Sequence, residues 1–128
     1  MSTRAIIGIL NEDKSIYGLW QWNDGEGLLP LLQENFKTIE DTCSLIGLGM
    51  INLMCTEEEA VALDNWKAEH KIKIEGEWYK CHNAMIFKSH TYFGREPTTY
   101  KNMEDALGQD INYLYLYDPK TQAWSVHS

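Results

Sequence analysis

The sequence predicts an α+β fold: a single compact domain over residues 1–128, with a mostly antiparallel sheet and three or four helices. Three observations carry this. An apolar run, Ala5-Ile6-Ile7-Gly8-Ile9-Leu10, meets a polar turn and an aromatic return strand ending in Trp20-Gln21-Trp22. A second hairpin pattern lies near the other end: Ile111-Asn112-Tyr113-Leu114-Tyr115-Leu116-Tyr117, a turn at Asp118-Pro119-Lys120-Thr121, then Trp124-Ser125-Val126. Between the hairpins, apolar residues recur at helical spacing behind recognisable helix caps. Both hairpins are strongly apolar, so they are expected in one sheet.

Taken in order, residues 5–10 read as a buried strand, 11–14 as a turn and 15–22 as the antiparallel partner. On that partner Ile16, Trp20 and Trp22 share one face, and Tyr17, Leu19 and Gln21 share the other. Gly25 and Gly27 break the strand. Leu28, Leu32 and Phe36 follow at helical spacing, which predicts a helix over 27–36 with Pro30 in its first turn. Asp24 is the expected cap of this strand-to-helix turn. Thr38 with Asp41 marks a short second helix that Gly47 and Gly49 end.

Residues 50–54 form a short apolar stretch, strand or buried loop. Thr56 with Glu59 is a capping box, and Glu57 and Glu58 add negative charge where a helix N-terminus favours it. The helix they start is expected to reach about residue 70, with Ala62, Leu63 and Trp66 as its apolar stripe. The alternation Lys71-Ile72-Lys73-Ile74 predicts a strand with one wet face over 71–77, turning at Glu75-Gly76-Glu77. Residues 83–93 fit strand or loop. Asn102, Met103, Leu107 and Gly108 outline a short capped helix. Residues 111–117 are apolar or aromatic on both faces, as in a central strand.

The formal net charge is −8, which favours solubility and repels nucleic acid and anionic membranes. Direct nucleic-acid binding is therefore not expected. Ordinary solubility explains the charge; a basic partner, or mimicry of nucleic acid, is the functional alternative. No apolar run approaches the roughly 20 residues of a membrane span. Cys43, Cys55 and Cys81 are odd in number and contain no CxxC, so neither a disulfide framework nor a closed zinc site is indicated. A reducing cytoplasm is the expected location. Five Trp and seven Tyr are a rich supply for this length and imply rings at the surface.

Four groups are candidates for chemistry. Ser2, leading into a strand, resembles the start of an N-terminal-nucleophile hydrolase; an ordinary anchoring segment is the preferred reading. Asp24, between aromatic rings and glycines, suits a polar ligand as well as a cap. Cys81, His82 and His90 match no standard metal spacing, and neither a metal nor another cofactor is expected. The run Tyr92-Phe93-Gly94-Arg95 puts a guanidinium beside aromatic rings, an arrangement that holds an anion, stacks on a base or pairs with a carboxylate. Arg4, Trp22, Asp24, Tyr92 and Arg95 are accordingly the candidate binding residues. No GxSxG, Walker A, HExxH or GxGxxG occurs, so no catalytic residues are assigned.

The order of these features resembles a family of small, largely uncharacterised phage and mobile-element proteins. Members open on an MSTR-x-x-IG strand, carry a WDG turn and end in an aromatic hairpin. The matches are Met1-Ser2-Thr3-Arg4, Ile7-Gly8, Asp24-Gly25, Leu48-Gly49, Tyr92 with Gly94-Arg95, residues 103–107 and 113–118, and Trp124. The family often has His-Trp-Asp-Gly-Tyr-Pro where this chain has Gln21-Trp22-Asn23-Asp24-Gly25-Glu26-Gly27, so a role resting on that histidine does not transfer. The resemblance implies an α+β fold, a phage or mobile-element origin and the cytoplasm of a host cell, and brings no reaction with it. The expected function is non-enzymatic binding of a host protein or protein–nucleic acid complex, of the anti-CRISPR or anti-restriction kind. The alternative is a small-molecule or nucleotide-binding protein, or a small N-terminal-nucleophile-like hydrolase.

Overall fold

The computed structural model describes residues 3–128, so the Ser2 reading lies outside the described residues. The α+β expectation holds: four α-helices and two sheets are present among the described residues. The strands β1 (Ala5–Leu10) and β2 (Ile16–Gln21) form the first hairpin. Helices α1 (Leu29–Asn35) and α2 (Ile39–Ile46) follow, then β3 (Leu53–Thr56) and α3 (Glu57–Glu69). A second hairpin joins β4 (Gly76–Cys81) to β5 (Ala84–Ser89), and a 3₁₀ turn at His90–Tyr92 leads to β6 (Thr98–Tyr100). Helix α4 (Met103–Leu107) precedes the last hairpin, β7 (Tyr113–Asp118) and β8 (Ala123–His127).

The larger sheet has the order β6-β2-β1-β7-β8, so both terminal hairpins share it, as their apolar patterns require. They meet through a parallel pairing of β1 with β7, in register from Ala5 opposite Tyr113 to Ile9 opposite Tyr117. The other named pairings are antiparallel. The smaller sheet runs β3-β5-β4. The two sheets touch where Ile51 bridges Gln21 in parallel, its N–H donating to the Trp20 carbonyl at 2.9 Å, while the Asn52 N–H donates to the Phe87 carbonyl at 2.9 Å.

One face of the larger sheet (Ala5, Ile7, Ile9, Leu19, Tyr115, Tyr117, Trp124) packs on Leu28, Leu32, Phe36, Leu45 and Ile46 from the α1–α2 layer. Met54, Ala84 and Ile86 of the smaller sheet join the same cluster, so the two sheets share a core. The opposite face (Ile6, Ile16, Leu114, Leu116, with Tyr100) is covered by Ala106 and by Met103 and Leu107 of α4. Strands buried on both faces read as continuous apolar runs, which is why residues 5–10 and 113–117 lack alternation. Each fully buried Ile, Leu or Phe in these clusters stabilises the fold by about 1.5–3 kcal/mol.

The caps follow the sequence closely. Thr38 accepts from the Asp41 N–H at 3.1 Å, and Thr56 with Glu59 forms the reciprocal capping box. Asn102 accepts from the Asp105 N–H at 2.8 Å. Asp24 is a correction: the N-cap of α1 is Leu28, which makes no side-chain cap bond. Its turn is held instead by the Gln21 side-chain amide, which donates to the carbonyls of Asn23 (2.7 Å) and Asp24 (3.2 Å). The Tyr115 hydroxyl adds a bond to the Gly25 carbonyl at 2.7 Å. The buried Gln21 side chain therefore shapes the turn.

Two further expectations fail. Residues 71–75 are not a strand; β4 starts at Gly76, inside the expected turn. The Ile72 N–H donates to the Lys67 carbonyl at 2.8 Å and Lys71 takes a left-handed φ of +56°, so Lys71 and Ile72 close the C-terminal end of α3 rather than enter a sheet. On α3 itself Trp66 is 49% exposed and stacks on His70 at 4.4 Å, leaving Ala60 as the buried residue of the helix. No helix of the described residues is long and apolar enough to cross a membrane.

Candidate functional site

Three of the five expected binding residues come together. Trp22 extends β2 past its last ladder residue, on the same face as Trp20. Its ring stacks against Tyr92 with centroids 6.2 Å apart and planes 16° from parallel. Arg4 lies over the same indole, with its guanidinium carbon 5.6 Å from the ring centroid. Arg4 is fixed by an ion pair to Asp110 at 3.0 Å and by a backbone bond to the Asn112 side chain at 3.1 Å. Trp20 continues the row at 5.8 Å from Trp22, and its N–H donates to the Tyr100 hydroxyl at 2.7 Å. The result is an aromatic row with a cation at its centre, on the seam between the sheets.

Asp24 and Arg95 do not join it. Asp24 takes a φ of +54° and makes no ion pair with either arginine among the described residues. It borders a depression of about 360 Å³ that also holds Glu26, Glu34, Cys55 and Glu59. Burial, then the charges of Glu59, Asp24 and Asp64, push the Cys55 thiol up to about 11 from 9.0. The unfolded chain ionises this thiol near pH 9 and the folded chain only near 11, so its contribution is present below 9 and lost as pH rises through 11. Burial raises Tyr115 and Tyr117 in the same sense. Urea unfolding should therefore show stability falling across this alkaline window, and falling less in Cys55→Ala.

Arg95 borders a second feature that the sequence did not reveal. A groove of about 570 Å³ is lined by Tyr17, Tyr79, Phe93, Lys88, Arg95 and Leu48, among others. Three aromatic rings stand exposed in it; Phe93 is 43% accessible. Lys88, by contrast, is only 5% accessible. Its ammonium donates to the carbonyls of Leu48 and Met50, and the Phe93 ring lies 5.9 Å away. No carboxylate pairs with it among the described residues. Burial accordingly lowers the Lys88 pKa from its ordinary value. The groove and the aromatic row meet at Met50, whose carbonyl takes Lys88 and whose sulfur accepts the Trp22 N–H. They meet again at the adjacent residues Tyr92 and Phe93.

No family model, curated protein or solved structure matches the chain.

The acidic runs behave as turn and helix-start residues should. Glu12, Asp13, Asp24, Glu26, Glu57, Glu58, Glu59, Glu75 and Glu77 are all exposed. Only two of the four runs border the depression at Asp24, while Glu12 borders a different one with Lys14, Asp118 and Lys120. Cys81 and His82 sit together at the β4–β5 turn, whereas His90 packs on Phe93 at 5.1 Å. Burial and the Asp41 charge raise the Cys81 pKa, which keeps the thiol protonated and disfavours it as a free nucleophile. Lys88, Tyr17 and Tyr79 were missed because neither the groove nor the burial of a lysine near the end of an apolar strand has a local sequence signal.

Proposed function

We propose that the protein acts by non-enzymatic binding of a macromolecular partner, through the aromatic surface that runs from Arg4 and Trp22 over Tyr92 to Phe93 and the Tyr17–Tyr79 groove. The observation that carries this reading is the gathering of these rings along one seam, with three of them exposed in the groove. Aromatic and arginine side chains in partly desolvated settings dominate interface energetics. An inhibitor needs only about 800 Å² of complementary surface on its side. The resemblance in the sequence supports a phage or mobile-element accessory protein, and a host defence complex of the CRISPR or restriction kind as the partner.

Affinity capture from host cells carrying such a defence system, followed by mass spectrometry, tests the partner. Affinity for the captured complex should then change little with salt, while Phe93→Ala or Trp22→Ala costs about 2 kcal/mol or more. A steep loss of affinity with salt, and silent aromatic substitutions, would instead favour imitation of nucleic acid by the acidic surface. A second reading rests on Lys88: a buried ammonium that pairs with no carboxylate among the described residues, in a groove that Arg95 also lines, suits a small anionic ligand such as a nucleotide. Thermal shifts with nucleotides that vanish in Lys88→Met would favour it.

A further inference from the structure

The chain folds three metal-binding side chains from two distant segments into one cluster. The Asp41 carboxylate, the Cys81 thiol and the His82 imidazole each offer one donor atom, and these atoms lie within 4.8 Å of one another. His82 Nε2 is already 2.8 Å from Asp41 Oδ2. In a tetrahedral zinc site, bonds of about 2.3 Å to sulfur and 2.0–2.1 Å to nitrogen or oxygen place neighbouring donors about 3.3–3.6 Å apart.

The backbone beneath the cluster is held in place before any ion arrives. Asp41 lies in the first turn of α2, where its N–H is capped by Thr38. Cys81 ends β4, in register with Ala84 of β5. Asn35, itself buried at the end of α1, accepts the Asn83 N–H at 2.9 Å on its side-chain oxygen and lies under Cys81 with its carbonyl. His82 occupies the turn with a left-handed φ of +53°, a conformation that favours glycine. The imidazole is thus presented to Asp41 from a position where glycine would fit with less strain. His82 is exposed while Asp41 and Cys81 are partly buried, which leaves one side of the cluster open to solvent.

We propose that Asp41, Cys81 and His82 form a binding site for a zinc-class divalent cation, with three protein ligands and a fourth position open to water or to a partner's side chain. The mix of thiolate, imidazole and carboxylate suits zinc or cobalt and is poorly suited to magnesium or calcium, which take oxygen ligands. Binding replaces the thiol S–H bond by a sulfur–metal bond and releases that proton to solvent, so affinity falls as pH falls. The ion would tie the β4–β5 turn to α2, and so fasten the smaller sheet to the helical layer on the larger one.

The test is a cobalt(II) titration of the untagged protein with its thiols reduced, followed by displacement with zinc. One equivalent should bind with a thiolate-to-cobalt charge-transfer band, release a proton and raise Tm. Cys81→Ser should abolish the band. Asp41→Asn and His82→Gly should each weaken binding by about 10–100-fold or more. Glycine accepts the turn's φ, so His82→Gly keeps the fold and separates loss of a ligand from loss of structure. The double substitution Cys43→Ser, Cys55→Ser should leave the band intact. Absence of a thiolate band, or a band and affinity that survive Cys81→Ser and His82→Gly, would overturn the proposal.

Discussion

Trp124→Ala is expected to cost about 3–5 kcal/mol of folding stability, the usual range for removing a buried Trp or Phe. Trp124 is 7% exposed, and its ring packs on Tyr117 at 5.4 Å. Its N–H donates to the Phe36 carbonyl at 2.9 Å, which ties the edge strand β8 to the end of α1. It is also the one buried residue of β8, whose other members are exposed or half-exposed. Alanine would therefore open a cavity between sheet and helices, orphan a buried carbonyl and remove the anchor of an edge strand. Urea unfolding measures this as a lower midpoint. Trp66→Ala, at an exposed tryptophan, should change stability by no more than about 0.5 kcal/mol. Equal effects at the two positions would contradict the division of tryptophans between core and surface.

Gly49→Ala should be nearly as damaging, at about 2–4 kcal/mol, for a different reason. Gly49 has a φ of +73°, and a β-carbon there would overlap the carbonyl of Arg95. The same carbonyl accepts the Met50 N–H at 3.3 Å, so the clash falls on a bond that holds residues 90–97 against the seam. Gly94 provides the comparison. Its φ is +82°, but a β-carbon there meets open space, so Gly94→Ala should cost only the conformational term of about 1–2 kcal/mol. The difference between the two variants, read from urea midpoints, isolates the contact between loops. Gly49→Ala should also weaken partner binding by displacing Tyr92 and Phe93; a variant with native affinity would separate the seam from recognition.

Much of the fold was legible because local signals and tertiary outcome agree. The capping box at Thr56 and Glu59 and the cap at Asn102 mark helix starts by chemistry confined to four residues. Residues 113–117 are apolar on both faces because both faces are covered. Legibility fails where a neighbour decides. The alternation at 71–75 suits a strand, yet β5 offers only Ala84–Ser89, which β4 pairs fully from Gly76 to Cys81. On α3, Trp78 donates to Asp64 at 3.1 Å and Lys67 lies 4.6 Å over the Phe87 ring. The inward side of that helix is therefore partly polar, and its tryptophan faces out. At three residues, β6 is too short to show a period.

The candidate site divides in the same way. Arg4, Trp22 and Tyr92 were visible as residue types, but their meeting depends on pairings across the whole chain. Asp24 suits a polar ligand and Arg95 an anion or a stacked base by residue type, and the turn geometry places both away from the aromatic row. Asp41 stands forty positions from Cys81, so no spacing rule connects them. A close pair, Cys81-His82, offered half of a constellation whose third member is supplied by the packing of α2.

The parallel pairing of β1 with β7 has a consequence for how the chain comes into being. During synthesis the first hairpin leaves the ribosome long before residues 113–118 exist. Until they arrive, Ala5–Leu10 presents an apolar strand with one unpaired edge, the kind of surface on which chains stick to one another. The centre of the sheet thus closes only once β7, far along the chain from β1, has been made. Nascent chains must stay unaggregated until β7 emerges, and one stopped before it exposes the apolar β1 edge to the quality-control machinery of the cell.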